Sequence, residues 1–99
     1  MKIPSIFVGC GPFGLQRLRI LIEKTNFFPV ACVDKDISKA KKTLGNDEIT
    51  KKFNLNKNVF SSIRQALKNK KAQACFIFAT ADQHADLVSQ SLKNNLHTY

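Results

Sequence analysis

Three glycines at positions 9, 11 and 14 sit between an apolar strand and a helix, and this arrangement constrains the chain most. Ile3 to Val8 is a short apolar run rich in β-branched and aromatic residues, which reads as a buried strand. Gly9-Cys10-Gly11-Pro12-Phe13-Gly14 follows directly. From Phe13 to Lys24 the apolar residues Leu15, Leu18, Leu21 and Ile22 recur along one side of a helix. Pro12 suits its first turn, where a missing N–H costs nothing. Gly9 then permits a tight turn off the strand, and Gly14 lets the helix lie close against it. With 99 residues there is room for one small domain, residues 1–99, and a single core.

The remaining pattern repeats the strand-then-helix theme. Asn26 and Pro29 punctuate the exit from the first helix, and Val30 to Val33 reads as a second buried strand ending at Asp34. Ile37 to Leu44 carries a short helix with Gly45 in the stop position. Asn46 to Asn58 is polar and irregular, with a turn of helix near Ile49 and Phe53. Val59 and Phe60 form a weak third strand. Ser62 and Gln65 have capping-box spacing and open a helix through Leu67. Ala74 to Ala79 is a clear fourth strand, and Thr80 and Gln83 repeat the capping-box spacing. His84, Leu87, Val88, Ser91, Leu92 and Leu96 then fall on one helical stripe, before a short fifth strand over His97 to Tyr99.

Such alternation predicts an α/β protein with a doubly wound parallel sheet of about five strands in three α/β/α layers. That is the Rossmann arrangement, in which G-x-G-x-x-G has a further meaning. Gly11 leaves the backbone open to a pyrophosphate, and the helix N-terminus offers N–H groups and a positive dipole end. Asp34 falls twenty residues after Gly14, at the end of the second strand, where a carboxylate can accept hydrogen bonds from ribose hydroxyls. The plainer alternative is a glycine loop that only turns and an Asp34 that only caps the next helix. The pattern favours a dinucleotide cofactor bound by Gly9, Gly11, Pro12, Phe13, Gly14 and Asp34. Asp34 repels a 2′-phosphate and so favours NAD. Lys35, with Lys39, Lys41 and Lys42 nearby, leaves NADP possible.

The stretch from Phe76 to Leu92 resembles the glucose–fructose oxidoreductase / inositol dehydrogenase (Gfo/Idh/MocA) family, in which the fourth strand ends in Ala-Thr-Pro and a His follows at the start of a helix. Here Ala79 and Thr80 match, Ala81 replaces the proline, and His84 stands in the family's position. The resemblance implies that Ala79, Thr80 and His84 belong to the cofactor groove. From pattern alone, His84 is a capping or packing residue on the apolar stripe. The resemblance further implies an NAD(P)-dependent oxidoreductase that transfers hydride to or from a sugar or polyol. The family's catalytic lysine, in Glu-Lys-Pro, would come just after Tyr99, and its substrate domain would follow. No catalytic residue is therefore expected in this chain, which reads as a fragment, a truncated product, or a subunit completed by a second chain supplying the substrate domain. A regulatory module that senses a nucleotide without catalysis is the alternative.

Charge and cysteine usage narrow the partners. Sixteen Lys and Arg oppose seven Asp and Glu, for a net charge of +9. Ten of the sixteen lie between Lys39 and Lys71. They are mostly lysines, with Phe53 and Phe60 the aromatic residues among them, which describes a solvated surface better than a nucleic-acid platform. Cys10, Cys32 and Cys75 stand singly in apolar runs without metal-ligand spacing. They read as small buried hydrophobes in a reducing cytoplasm, and no metal site is expected. The N-terminal apolar stretch is broken by glycines and followed by Gln16, Arg17 and Arg19, so it reads as fold rather than leader. No run is long enough to span a membrane.

Overall fold

A computed structural model describes residues 2–9, 11–78 and 81–99, without the side chains of Pro12, Phe13, Ala81 and Asp82. Five strands form one parallel sheet: β1 (Ile3–Val8), β2 (Phe27–Val33), β3 (Val59–Phe60), β4 (Ala74–Ile77) and β5 (His97–Thr98). Their order is β3-β2-β1-β4-β5, and every neighbouring pair is parallel. The helices are α1 (Pro12–Lys24), α2 (Ile37–Gly45), α3 (Glu48–Lys52), α4 (Ile63–Asn69) and α5 (Ala81–Lys93). A short 3-10 turn occupies Leu55–Lys57.

The period-2 alternation of the strands sends their side chains into two separate cores. On one face Phe7, Cys32 and Phe76 pack with Leu18 of α1, Ala40 and Leu44 of α2, and Leu55. On the other, Ile6, Val8, Ala31, Val33, Cys75 and Ile77 pack with Ile63 and Ala66 of α4 and with Leu96. Helices thus cover both faces, giving the α/β/α sandwich that the alternation predicts. Phe7 and Phe76 stack with centroids 5.1 Å apart, and Phe76 also meets Phe27 edge-on and Tyr99 face-on. Among the described residues no helix is long and apolar enough to cross a membrane.

Four local readings are corrected. First, β2 begins at Phe27 and runs through Pro29 instead of starting after it. The register shifts there: Ser5 pairs with Pro29 but Ile6 pairs with Ala31. The extra residue makes a bulge, a place where a strand tolerates proline. Second, α4 continues to Asn69, and Ser62 Oγ accepts the Gln65 N–H at 3.1 Å. The Gln65 side chain instead accepts the Ser61 hydroxyl at 2.7 Å, so the reciprocal half of the capping box is missing. Third, His84 and Leu92 are exposed, whereas Ser91 and Leu96 are buried. The helical stripe that meets the core is therefore narrower than the apolar pattern suggests. Fourth, Cys32 is buried and disulfide-bonded, where a plain thiol is expected. It lies near the carboxyl end of β2, in register with Phe7 of β1. Cys75 is buried and free, and burial pushes its thiol up despite a hydrogen bond with Ser91. Cys10 lies outside the described residues.

The polar stretch after α2 is held by Asp47. Its Oδ1 accepts the Ile49 and Thr50 N–H groups at 3.0 Å and so caps α3, while its Oδ2 is paired with Arg19 of α1. Thr50, fully buried, donates its hydroxyl to the Leu44 carbonyl at 2.8 Å. Burial alone would raise the Asp47 carboxyl. The hydrogen bonds from Arg19, Thr50 and Ile49 and the guanidinium charge outweigh it and hold the group below its ordinary value. A depressed carboxyl stabilises the fold above its unfolded pKa, and that contribution is lost as pH falls through the folded value. Asp47→Ala should therefore cost about 1–2 kcal/mol at pH 7, mostly as a lost cap. Arg19 is half exposed, so the ion pair adds little. Urea denaturation of wild type and variant should show the gap narrowing below about pH 4. An equal gap at pH 7 and pH 2.5 would contradict this account.

Candidate functional site

The strand order reverses between β1 and β4: β2 and β3 lie to one side of β1, β4 and β5 to the other. In a parallel α/β sheet the crevice at such a reversal, beyond the carboxyl ends of the strands, is where ligands bind. The glycine loop leaves β1 at this point. The Gly9 N–H donates to the Val33 carbonyl at 2.9 Å, and the Phe78 N–H donates to the Val8 carbonyl at 2.8 Å. The loop is thereby fixed to β2 on one side and to the end of β4 on the other.

Gly9 has φ +96°, which side chains rarely adopt, and a Cβ added to it would run into the Phe78 carbonyl oxygen. A Cβ on Gly14 would lie 2.5 Å from the Gly9 carbonyl oxygen, so helix and loop touch backbone to backbone. Gly11 differs. It caps α1 with φ −74°, and a Cβ there would meet nothing within 4 Å. No contact among the described residues demands glycine at position 11, and the residue lines a cavity. Among the described residues no side chain caps the start of α1, and its first turn holds no acidic residue, an arrangement that suits an anion.

The cavity encloses about 500 Å³, within the usual range for small-molecule sites. Val8, Val33 and Phe78 give it apolar surface at the strand ends, and Gly9 and Gly11 give it backbone. Asp34 and Lys35 line it at the end of β2. Asp34 is partly buried, and its Oδ1 accepts the Asp36 N–H at 2.9 Å. The cap of α2 is Asp36, whose Oδ1 accepts the Lys39 N–H at 3.0 Å. Asp34 is thus not the helix cap that its position before α2 also allowed. Such an arrangement can seat a flat apolar group, hold hydroxyls at a carboxylate and receive phosphates at a helix start.

The predicted site residues divide as follows. Gly9, Gly11, Asp34 and Lys35 come together on the cavity, and Gly14 is buried behind the loop. Pro12 and Phe13 open α1, and their side chains are not described. His84 is exposed on α5 and is not part of the lining. Ala79 and Thr80 lie outside the described residues. The sequence reading missed two walls: Ser61 and Ser62 after β3, and Gln83, Asp86, Leu87 and Gln90 on α5. The spacing of the polar residues on α5, three and then four apart, puts them on one helical face and could have pointed to that wall. Among the described residues no group of three or more His, Cys, Asp or Glu is placed to hold a metal ion.

Comparison with known proteins agrees with this geometry. The family model for an oxidoreductase family with an NAD-binding Rossmann fold (GFO_IDH_MocA) matches residues 4–99. No curated protein matches the chain. Among solved structures, an oxidoreductase from Agrobacterium radiobacter in complex with NAD+, L-tartaric acid and magnesium is similar with a TM-score of 0.80 at 16% identity. That match covers 99% of this chain and 27% of the other. The myo-inositol 2-dehydrogenase of Lactobacillus plantarum gives 0.78 at 17% identity, over 99% and 27% of the two chains. The WlbA dehydrogenase of Bordetella pertussis, in complex with NADH and UDP-GlcNAcA, gives 0.78 at 17%, over 99% and 28%. At such identities the likeness is one of fold. The chain spans about a quarter of the length of these structures.

Proposed function

Since the chain belongs to the Gfo/Idh/MocA oxidoreductase family with its NAD-binding Rossmann fold, we propose that residues 1–99 are the cofactor domain of such an oxidoreductase, binding NAD in preference to NADP. The observation that carries this reading is the opening of Gly11 and Asp34 onto one cavity at the reversal of strand order. The start of α1 and the Gly9–Gly11 backbone receive the pyrophosphate. The Asp34 carboxylate accepts the adenosine ribose hydroxyls. Val8, Val33 and Leu87 exclude water from the face of the base. The bound nicotinamide supplies or accepts the hydride.

The substrate in this reading is a sugar or cyclitol. The myo-inositol dehydrogenase and the UDP-GlcNAcA-bound dehydrogenase named above are similar in fold, which supports that class. Hydride transfer requires the substrate carbon to be held against the nicotinamide. In this reading a further substrate domain does so and brings the acid–base lysine, either in the same polypeptide or in a second chain.

Calorimetric titration of the chain with NADH, ADP-ribose and nicotinamide mononucleotide tests the assignment. Each ligand should bind one site or none. ADP-ribose should retain affinity within about tenfold of NADH, because the cavity serves the adenosine and pyrophosphate half. The mononucleotide should bind far more weakly. A folded sample that binds neither NADH nor ADP-ribose would overturn the proposal.

A further inference from the structure

Charge is unevenly placed in the crossover between β2 and β3. There the chain forms α2, α3 and the Leu55–Lys57 turn, which pack on one another before β3, the outermost strand. Between residues 36 and 57 every basic residue is a lysine: Lys39, Lys41 and Lys42 on α2, Lys51 and Lys52 on α3, and Lys57 in the turn. All six are exposed, and none is in an ion pair among the described residues. The carboxylates of the segment offset them poorly. Asp47 is buried and paired with Arg19 of α1, and Asp36 accepts the Lys39 N–H as the cap of α2. Glu48 is the one other acidic residue of the segment. Six like charges on one packed unit repel one another, and an external anion relieves that repulsion. None of the six lines the cavity, so the anion in question is not a ligand bound there.

We propose that α2, α3 and the Leu55–Lys57 turn form a docking face for an acidic segment of a partner protein. Two features favour protein over nucleic acid. Nucleic acids are held largely through arginine forks and stacked aromatic rings. The segment has no arginine, and the aromatic residues nearby, Phe53 and Phe60, are half-buried and packed against the two cores. A lysine ammonium is a compact point charge on a flexible stem, which suits single carboxylates spread over a protein surface. Charges of this kind act mainly before contact: they speed the encounter and fix the side from which the partner arrives. The complex is therefore weak and sensitive to salt, since exposed charges are screened within about 10 Å at 0.1 M. Lysines that only keep a short edge strand from pairing with other chains would show no such preference for one face.

The experiment measures fluorescence anisotropy of two labelled probes, poly-L-glutamate of about 20 residues and a duplex DNA of matched charge, at low salt and at about 0.15 M. Wild type should bind poly-L-glutamate at low salt and lose roughly tenfold or more in affinity at the higher salt. Lys41→Ala,Lys42→Ala,Lys51→Ala,Lys52→Ala should weaken that binding by roughly 10- to 30-fold at low salt, mostly through slower association. Lys2→Ala,Lys24→Ala,Lys71→Ala,Lys93→Ala removes the same charge from exposed positions outside the segment and should weaken it by about threefold or less. The DNA, held through net charge alone, should lose about equally in the two variants. Equal losses of poly-L-glutamate in the two variants would show that net charge suffices, and would overturn the proposal. Loss of DNA binding confined to the first variant would assign the face to nucleic acid and overturn the choice of partner. Failure of wild type to bind poly-L-glutamate at low salt would overturn the proposal outright. Circular dichroism should show both variants folded, because all the substituted positions are exposed.

Discussion

Gly9→Ala should lower the melting temperature by about 10–30 °C, whereas Gly11→Ala should shift it by a few degrees and still weaken NADH binding by roughly 10- to 100-fold. The two glycines are two residues apart, and their physical constraints are opposite. At Gly9 the backbone sits at φ +96°, a conformation that costs a side chain about 1–2 kcal/mol. The new Cβ would also be driven into the Phe78 carbonyl oxygen. That oxygen is backbone, on a residue whose N–H is bonded to the Val8 carbonyl, so it gives way less readily than the far end of a side chain. Overpacking of this kind adds about 1–3 kcal/mol. The sum is a large share of the roughly 5–15 kcal/mol that keeps a small domain folded. At Gly11 the backbone is ordinary and the added methyl meets nothing, so the fold loses only the modest N-cap advantage of glycine over alanine. The methyl does occupy the cavity beside the start of α1, where a phosphate must come close. Scanning calorimetry and NADH titration on the same samples separate the two effects. If Gly11→Ala bound NADH like wild type, the cavity would not be the phosphate site. If Gly9→Ala melted like wild type, the turn would not be under the stated constraint.

That separation also shows where sequence reasoning reaches and where it stops. β1, the glycine loop and α1 were legible because their cause is local: an apolar run, a turn that needs glycine and a helical period follow one another between Ile3 and Lys24. Asp34 was legible because the length of one strand–helix–strand unit fixes its distance from the loop. Pro29 misled because a bulge is set by the partner strand, and Ser5 and Ile6 pair on either side of it. The segment from Asn46 to Asn58 looked irregular because its order comes from tertiary bonds: Asp47 to Arg19 on α1, and Thr50 to the Leu44 carbonyl. The α5 wall was missed for a related reason. Gln83, Asp86 and Gln90 are unremarkable on a solvent-facing helix. They become a wall only because the crossovers of a parallel sheet bring α5 beside the end of β1. His84, which the family resemblance singled out, is exposed one turn or less from that wall and outside the lining.

The second large effect concerns Asp34 and the choice between NADH and NADPH. Wild type should bind NADH about 10- to 100-fold more tightly than NADPH, and Asp34→Ala should move that ratio by roughly 100-fold toward NADPH. Two terms act in the same direction. Removing the carboxylate deletes the acceptor for the ribose hydroxyls, and hydrogen bonds to a charged group contribute about 1.5–3 kcal/mol. It also deletes a negative charge facing the 2′-phosphate, where repulsion between close charges at a protein surface is on the order of 1–4 kcal/mol. Lys35 lines the same end of the cavity, and Lys39, Lys41 and Lys42 follow on α2. Once Asp34 is gone, Lys35 is the charged side chain left on that end of the lining, with the α2 lysines adding positive charge beyond it. NADPH binding to Asp34→Ala should therefore weaken steeply as salt rises, because exposed charges are screened within about 10 Å at 0.1 M. NADH binding to wild type should depend on salt much less. Asp34→Ala,Lys35→Ala should give back most of the gain in NADPH affinity, which assigns the cation responsible. An unchanged ratio in Asp34→Ala would mean that the carboxylate, with Oδ1 already holding the Asp36 N–H, serves the turn into α2 instead of the ribose. Cofactor choice would then lie with the basic surface of α2.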